Sequence, residues 1–422
     1  MMINNNKKQS IFPLLWVMLF DHTSLNITFP ILTLLFFDAQ SSLFPADTSQ
    51  AVRSMWYGLC ISMPNIVNLV VTPILSALSD AFGRKKMIFI GTTGAFVFAM
   101  TAGFGILWGS LSILFLSCVL RGAFSRTNPI AQAVIGDISP KEKKVVYMGY
   151  LQTAIALGAF MGPVLGGYFA NQFFFKTLNF SLPFFIAGAF AAISCVLTLT
   201  IFKETLGVRR FTSPWKEFHW HSMKKVFTNP NVLRISIILL LSQISWSTYY
   251  QFIPPILKTE LHVDPHQLGI FVGLIAFWLA LATTFGIKIL KQFFSMQTIL
   301  LLSLYLVLLG TVMTFVFFKL HLSGVWGFLI WLAAIPTAVG DVIAFSCITA
   351  LYSDVVEQQE QGKVMGVCFI VIALIWSVTA MLGGVLMSIS ALLPLMVAPV
   401  GILLAIILLQ AKFGKKLLYV VE

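Results

Sequence analysis

Twelve long apolar segments set the strongest constraint on how this chain can fold. A helix that crosses a bilayer needs about 20 mainly apolar residues. We number the segments as spans 1 to 12, and they lie at 11–37, 56–79, 86–106, 110–135, 146–170, 182–203, 232–256, 267–290, 297–318, 325–351, 364–388 and 392–411. Because backbone polar groups inside a bilayer must be paired within the protein, the pattern predicts an all-α integral membrane protein with 12 transmembrane helices.

The composition excludes a soluble enzyme, a disordered chain and a disulfide-stapled secreted scaffold. Of the 422 residues, 58% are hydrophobic and 10% are charged, whereas soluble domains carry about 25% charged residues. No C-x-x-C pair and no phosphate-binding loop occurs in the sequence, so a metal site and a nucleotide cofactor are unsupported. The cysteines are scattered through apolar runs, at Cys60, Cys118, Cys195, Cys347 and Cys368.

The basic residues predict how the chain crosses the membrane. If the N-terminus is cytoplasmic, most of the 27 lysines and arginines fall in cytoplasmic links. The opposite links hold Arg53, Lys176, Lys258 and Lys319. By the positive-inside rule, we expect both termini in the cytoplasm and the protein in the inner membrane of a bacterium. The same rule accounts for the net charge of +12 without a nucleic-acid partner.

An internal repeat predicts two six-helix halves. Asp137 is followed by Gly149 and then by Gly166-Gly167, and Asp354 is followed at the same distances by Gly366 and Gly383-Gly384. Pro30 near the end of span 1 likewise matches Pro255 near the end of span 7. We therefore expect halves at 1–203 and 232–422, related by a pseudo-twofold axis with a substrate site between them at the midplane. A basic cytoplasmic linker at 204–231 joins them, with a surface helix predicted around Trp215–Phe227.

The link after span 2 carries a family signature. It reads Leu78-Ser79-Asp80-Ala81-Phe82-Gly83-Arg84-Lys85-Lys86. This resembles the signature G-x-L-A-D-x-x-G-R-K of the major facilitator superfamily, with Ser76 in place of the leading glycine. The resemblance implies a cytoplasmic gate latch that is formed by Asp80, Gly83, Arg84 and Lys85.

Span 5 carries a second signature, which is typical of the drug/proton antiporters of that superfamily. The motif G-x-x-x-G-P-x-x-G-G is matched at every fixed position, by Gly158, Gly162, Pro163, Gly166 and Gly167. Small residues one turn apart let helix backbones approach closely, and a proline adds a kink. The resemblance favours export over import and implies that a proton gradient drives the transport.

Two acidic residues are the candidates for proton coupling. Asp21 lies about 15 Å of helix from the inner edge of span 1, near the midplane, in a stretch that looks like the opening of many efflux members. Asp341 in span 10 is the second candidate. An ionisable group at this depth is costly and usually lines a pathway. A purely structural ion pair is the alternative.

Polar and aromatic residues of spans 1, 4, 7 and 11 form the predicted substrate cavity. Span 4 departs from the antiporter pattern, because Cys118 stands where that pattern has an arginine and Arg121 follows it. We expect Arg121 and Asp341 to form an ion pair, and the alternative is that Arg121 contacts span 1. The predicted cavity residues are His22, Asn26, Arg121, Ser125, Asn128, Gln243, Trp246, Tyr250 and Trp376.

The resulting prediction is a monomeric, proton-coupled secondary transporter that exports a small organic molecule by alternating access. It is not an enzyme and needs no cofactor. Three alternatives stay open at this point: proton symport of a nutrient such as an amino acid or a carboxylate, export of an anionic polycarboxylate siderophore, and a transporter-like receptor or scaffold.

Overall fold

A computed structural model describes residues 11–39, 41–124, 127–140, 143–170, 178–206, 230–320, 327–354 and 361–411. All regular secondary structure in these ranges is helical. Both chain ends, Ser125 and the helix predicted around Trp215–Phe227 lie outside the described residues.

The described residues form fourteen α-helices, a π-helical turn at Ala282–Gly286 and a single 3-10 turn at Asn179–Ser181. In chain order the α-helices are α1 (Phe12–Phe37), α2 (Gln50–Phe82), α3 (Arg84–Leu107), α4 (Leu111–Phe124), α5 (Thr127–Ile138), α6 (Lys144–Phe169), α7 (Leu182–Thr200), α8 (Pro230–Leu261), α9 (Pro265–Leu281), α10 (Ile287–Leu290), α11 (Met296–Lys319), α12 (Phe328–Asp354), α13 (Gln361–Ile389) and α14 (Leu393–Gln410).

These helices confirm the predicted fold class. Within the described ranges, 11 helices are long and apolar enough to cross a membrane. Span 4 is covered by α4 and α5, on either side of residues 125–126. Helices α2 and α8 are longer than the predicted spans 56–79 and 232–256, because hydropathy marks only the apolar part of a helix, whereas the hydrogen-bonded backbone continues into polar turns.

The chain divides into two compact units, each with its own core. Unit 1 comprises Met1–Ala46, Val67–Phe218 and Asp264–Gly273, and unit 2 comprises Asp47–Ile66, His219–Val263 and Leu274–Glu422. The core of unit 1 includes Val17, Ile88 and Val134, and that of unit 2 includes Leu239 and Leu304. The predicted division into halves at 204–231 stays a prediction.

The glycines of the antiporter motif bring α6 against α1 inside unit 1. A Cβ atom added to Gly158 would lie 2.8 Å from the carbonyl oxygen of Leu19, and one added to Gly162 would lie 2.7 Å from the Cβ atom of Asn26. A Cβ atom on Gly166 would collide with a third point of α1, the carbonyl oxygen of Ile27. The motif thus provides the close backbone approach that its small residues predict.

We expect Gly162→Ala to lower the thermal stability of the purified protein, because the new methyl group would meet the backbone of α1. Overpacking of this kind costs about 1–3 kcal/mol. Gly149→Ala in the same helix is the matched control, since a Cβ atom there has no neighbour within 4 Å and alanine favours the helix by about 0.5–1 kcal/mol. Thermal unfolding in detergent would measure both, and an equal response of the two variants would contradict the packing role.

Candidate functional site

Asp21 lies in the interior of α1 with its side chain only 1% exposed. The Thr127 hydroxyl of α5 donates a hydrogen bond of 2.5 Å to the Asp21 Oδ2 atom. Within the described part of the chain, the Oδ1 atom of the same carboxyl has no hydrogen-bond partner. His22 Nδ1 is 3.9 Å from Oδ2 and 3.1 Å from the Met18 carbonyl oxygen, so that nitrogen donates to the backbone of its own helix.

A carboxylate in these surroundings is costly while it is charged, because the side chain is buried and, among the described residues, one of its oxygens has no donor. Protonation removes the charge and with it most of that cost. The proton-coupling role of Asp21 stays a prediction. Thr127 was missed by the sequence analysis, which followed the polar stripe of span 4 from Arg121 and did not include this residue.

Arg121 of α4 contacts α1. Its Nη2 atom donates to the Leu25 carbonyl oxygen at 3.4 Å, and its guanidinium lies over the Phe98 ring, 5.6 Å from the ring centroid. A cation over an aromatic face is attracted by the ring quadrupole. Arg121 and Thr127 thus reach α1 one turn apart, at Leu25 and Asp21.

Three other predicted cavity residues, His22, Asn26 and Asn128, take part in hydrogen bonds within their own helices. The Asn26 amide donates to the His22 carbonyl oxygen at 2.7 Å, and Gln132 donates to the Asn128 side-chain oxygen at 3.1 Å. His22, Asn26 and Asn128 are all half-buried. Their part in substrate binding stays a prediction.

The predicted residues of spans 7 and 11 form an aromatic cluster in unit 2. Trp246 stacks on Tyr250 with ring centroids 5.4 Å apart, and Tyr250 lies 6.0 Å from Trp376. The Trp376 indole N–H donates to the Gln243 side-chain oxygen at 3.1 Å. We call Trp246, Tyr250 and Trp376, together with Gln243, the aromatic cluster.

Gln251 forms hydrogen bonds with Trp376 of the aromatic cluster and with Tyr57. It was not among the residues predicted from the sequence. Its side-chain amide donates to the Trp376 carbonyl oxygen at 3.2 Å, and its backbone carbonyl oxygen accepts from the Tyr57 hydroxyl at 2.9 Å. Its place two turns after Gln243 on the same helix was the available signal.

Asp341 lies in α12 and is 6% exposed. It belongs to unit 2, whereas Arg121 belongs to unit 1. Their pairing stays a prediction. In the described residues, acidic, cysteine and histidine side chains form no group of three that could hold a metal ion.

Arg84 joins three helices through the loop that carries the family signature. Its side chain contacts the Asp80 carboxylate at 2.6 Å, the Asp137 carboxylate at 3.1 Å and the Ser79 hydroxyl at 2.9 Å. The loop therefore connects the end of α2 and the start of α3 with the last turn of α5, all within unit 1.

Glu204, which follows α7, caps the start of α3. Its carboxylate accepts the backbone N–H groups of Arg84 at 2.9 Å and Lys85 at 3.2 Å, and the partial positive charge of a helix start favours such a carboxylate. Gly83 has φ of +105°, and a Cβ atom there would collide with this carboxylate. Both facts require glycine. Lys85 completes the contact by donating to the Leu199 carbonyl oxygen at 2.8 Å.

The sequence model of the Major Facilitator Superfamily matches residues 11–380. The chain belongs to this superfamily. Among curated proteins it is 24% identical to "Tetracycline resistance protein, class H" of Pasteurella multocida over 197 residues, which are 47% of this chain and 45% of the relative. It is 32% identical to "Multidrug resistance protein 1" of Bacillus subtilis (strain 168) over 148 residues, 35% of this chain and 36% of the relative. The matched segments thus span less than half of these relatives.

Solved structures of transporters share the fold over nearly the whole chain. A peptide transporter, POT, in complex with sulfate has a TM-score of 0.74 at 16% identity, covering 97% of this chain and 95% of that one. The human organic anion transporter MFSD10 (TETRAN) has a TM-score of 0.67 at 15% identity, covering 96% and 100%. At these identities the likeness shows the fold alone. The family and these relatives are transporters and not enzymes.

We expect Asp80→Asn to slow transport without changing the order of preference among substrates, because it weakens the Arg84 contact at one end of α2. The Asp80 side chain is 43% exposed, and an exposed ion pair contributes about 0–1 kcal/mol, so the rate should fall by up to about fivefold. Asp47→Asn, at an exposed position between α1 and α2, is the control. Altered selectivity at an unchanged rate would instead assign Asp80 to the substrate site.

Arg121→Ala and Asp341→Ala should each impair transport if the two residues pair in at least one conformational state. The double variant should then be less impaired than the sum of the single effects, with an interaction energy of about 0.5–3 kcal/mol. A double-mutant cycle on initial transport rates measures this term. Fully additive losses would show that the two residues act separately.

Proposed function

We propose that this protein is a proton-coupled exporter of small organic molecules that works by alternating access. Asp21 carries this proposal: it is a buried carboxyl in a membrane-spanning helix, and among the described residues one of its oxygens is hydrogen-bonded and the other has no partner. Alternating exposure of this carboxyl to the two sides of the membrane would let it take up a proton on one side and release it on the other. Export would use that proton movement.

The direction of transport is inferred from the antiporter motif and from the relatives. The glycines of that motif hold α6 against the helix that carries Asp21, and two curated relatives are named for tetracycline and multidrug resistance. We further propose an inner-membrane location with both termini in the cytoplasm, which the distribution of lysine and arginine supports.

The aromatic cluster supports a planar organic substrate. Stacked indole and phenol rings offer large apolar faces, and the nearby amides offer hydrogen-bonding groups that can orient a ligand. Ligand sites commonly combine such an apolar surface with a few polar groups. Trp246 also takes the position of Asp21 in the repeat, since each lies nine residues before the aligned proline, Pro255 or Pro30.

Two equivalent contacts support the proposal of two related halves. Gly166 of α6 packs against Ile27, and Gly383 of α13 packs against the Phe252 ring. The two glycines correspond in the repeat, and Ile27 and Phe252 each precede the aligned proline by three residues. Halves related in this way are the usual basis of alternating access in this class of fold.

Arg121 favours a second candidate, the transport of an organic anion. A guanidinium binds carboxylates through parallel hydrogen bonds. Arg121 contacts the Leu25 carbonyl oxygen of α1, one turn from Asp21. An anionic metabolite, including a polycarboxylate siderophore, or an imported carboxylate or amino acid would use this contact.

Transport into vesicles with and without an imposed pH gradient tests these candidates. The probes are tetracycline, ethidium, citrate and radiolabelled lysine, with inside-out and right-side-out vesicles compared. We expect tetracycline or ethidium to accumulate in inside-out vesicles and to be released when nigericin collapses the pH gradient. Accumulation of citrate alone in inside-out vesicles would favour anion export, and accumulation in right-side-out vesicles alone would favour import.

Asp21→Asn should abolish gradient-driven accumulation of the transported probe while the protein still inserts and folds. The amide keeps the size of the side chain but cannot exchange a proton at neutral pH. Asp264→Asn is the matched control, because Asp264 caps α9 by accepting from the Gln267 N–H at 2.8 Å and asparagine caps helices equally well. A wild-type pH dependence in Asp21→Asn would refute the coupling role.

A further inference from the structure

The Thr127 hydroxyl differs from the hydroxyls of threonines inside the helices. Thr198, Thr314 and Thr337 each donate to the carbonyl oxygen of the residue four positions earlier in the same helix, at 2.8, 2.8 and 2.9 Å. This local bond is the usual one for a threonine within a helix. The Thr127 hydroxyl of α5 instead donates to Asp21 on a different helix, α1.

Helix α3 holds Thr127 in this orientation. A Cβ atom on Gly91 would lie 2.7 Å from the Thr127 Cγ2 atom, so the threonine methyl occupies the space that the missing side chain leaves. One turn on, Phe124 fills the equivalent space above Gly94. Because a β-branched side chain has few χ1 rotamers, fixing the methyl group also fixes the hydroxyl, which points at α1.

The other groups around Asp21 do not replace this donor. His22 Nδ1 is 3.9 Å from the carboxylate and donates to the Met18 carbonyl oxygen. Arg121 on α4 donates to the Leu25 carbonyl oxygen, one turn further along α1. From α6, uncharged Gly158 and Gly162 face this part of α1, and from α7 the Ser194 hydroxyl donates to the Val17 carbonyl oxygen at 3.0 Å. In the described residues, Thr127 is the hydrogen-bond donor to the Asp21 carboxylate.

We propose that Thr127 is a positioning residue that sets where and how readily Asp21 takes up its proton. The inference rests on the coupling role proposed for Asp21. The Thr127 hydroxyl occupies a lone pair of Oδ2, so the proton adds to a lone pair of Oδ1 and leaves from the same atom. Oδ1 is buried here, so it exchanges this proton with water in a conformation that opens Asp21 to one side of the membrane. No other bond forms or breaks.

This arrangement makes the proton affinity of Asp21 depend on the position of α5. While Thr127 lies beside Asp21, its hydroxyl stabilises the ionised carboxylate, because hydrogen bonds to a charged group are stronger than those to a neutral one. A movement of α5 away from α1 would remove the donor and favour the protonated form. The proton would therefore be held in one conformation and released in another.

Infrared difference spectroscopy of the full-length protein in lipid nanodiscs tests this inference without a substrate. The signal is the C=O stretching band of a protonated carboxyl, and its loss in Asp21→Asn assigns the band. Thr127→Val removes the hydroxyl and keeps the branched shape, so the titration midpoint should move by about one pH unit toward higher pH, a tenfold rise in proton affinity. Thr127→Ser keeps the hydroxyl and should keep the wild-type midpoint.

The controls separate a positioning role from a structural one. Thr198→Val also removes a buried hydroxyl but should leave the midpoint unchanged, and Thr127→Ala repeats the test if the valine variant does not fold. A wild-type midpoint in both Thr127→Val and Thr127→Ala, or an equal shift in Thr198→Val, would overturn the role of Thr127. The absence of any band that depends on Asp21 would overturn it as well.

The pH profile of probe transport distinguishes this inference from the proposed function. If Asp21→Asn abolishes coupling and Thr127→Val keeps the wild-type profile, only the inference about Thr127 is wrong. If Asp21→Asn keeps the wild-type profile, the coupling role itself is wrong and the inference falls with it. A profile shifted toward higher pH in Thr127→Val, and not in Thr127→Ser, supports both.

Discussion

The close approach of α6 to α1 is the contact on which the chemistry of unit 1 depends. With glycine at three turns of α6, the backbone of α6 packs directly against α1 at these points. Helix α7 closes another side of α1 through Ser194, and α4 and α5 contact it through Arg121 and Thr127. The Asp21 side chain is thereby buried, and a buried carboxyl responds strongly to each nearby donor.

The two units carry different chemistry at equivalent positions of the repeat. Unit 1 has an acid at Asp21, which a threonine hydroxyl bonds, and unit 2 has Trp246 at the corresponding place, within the aromatic cluster. An acid suits proton exchange, whereas aromatic faces suit contact with an organic molecule. Under the proposed function, the proton and the substrate would therefore use sites in different units.

The family signature between α2 and α3 is a junction of four helices. Arg84 binds carboxylates from α2 and α5, and Glu204 after α7 caps α3. Gly83 is required for two separate reasons, a left-handed backbone and the room that Glu204 fills. These contacts fix the relative positions of the helix ends in unit 1.

The sequence by itself determined the helices, the family and the acid. Hydropathy and backbone pairing within a bilayer are local properties, so the spans could be predicted, and the position of Asp21 within span 1 follows directly. Thr127 and Glu204 could not be predicted in the same way, because each acts on a residue distant in the chain. Thr127 reaches Asp21 because α5 packs beside α1 and Gly91 of α3 leaves room for its methyl group. Which helices touch, and at which turn, is decided by packing in three dimensions.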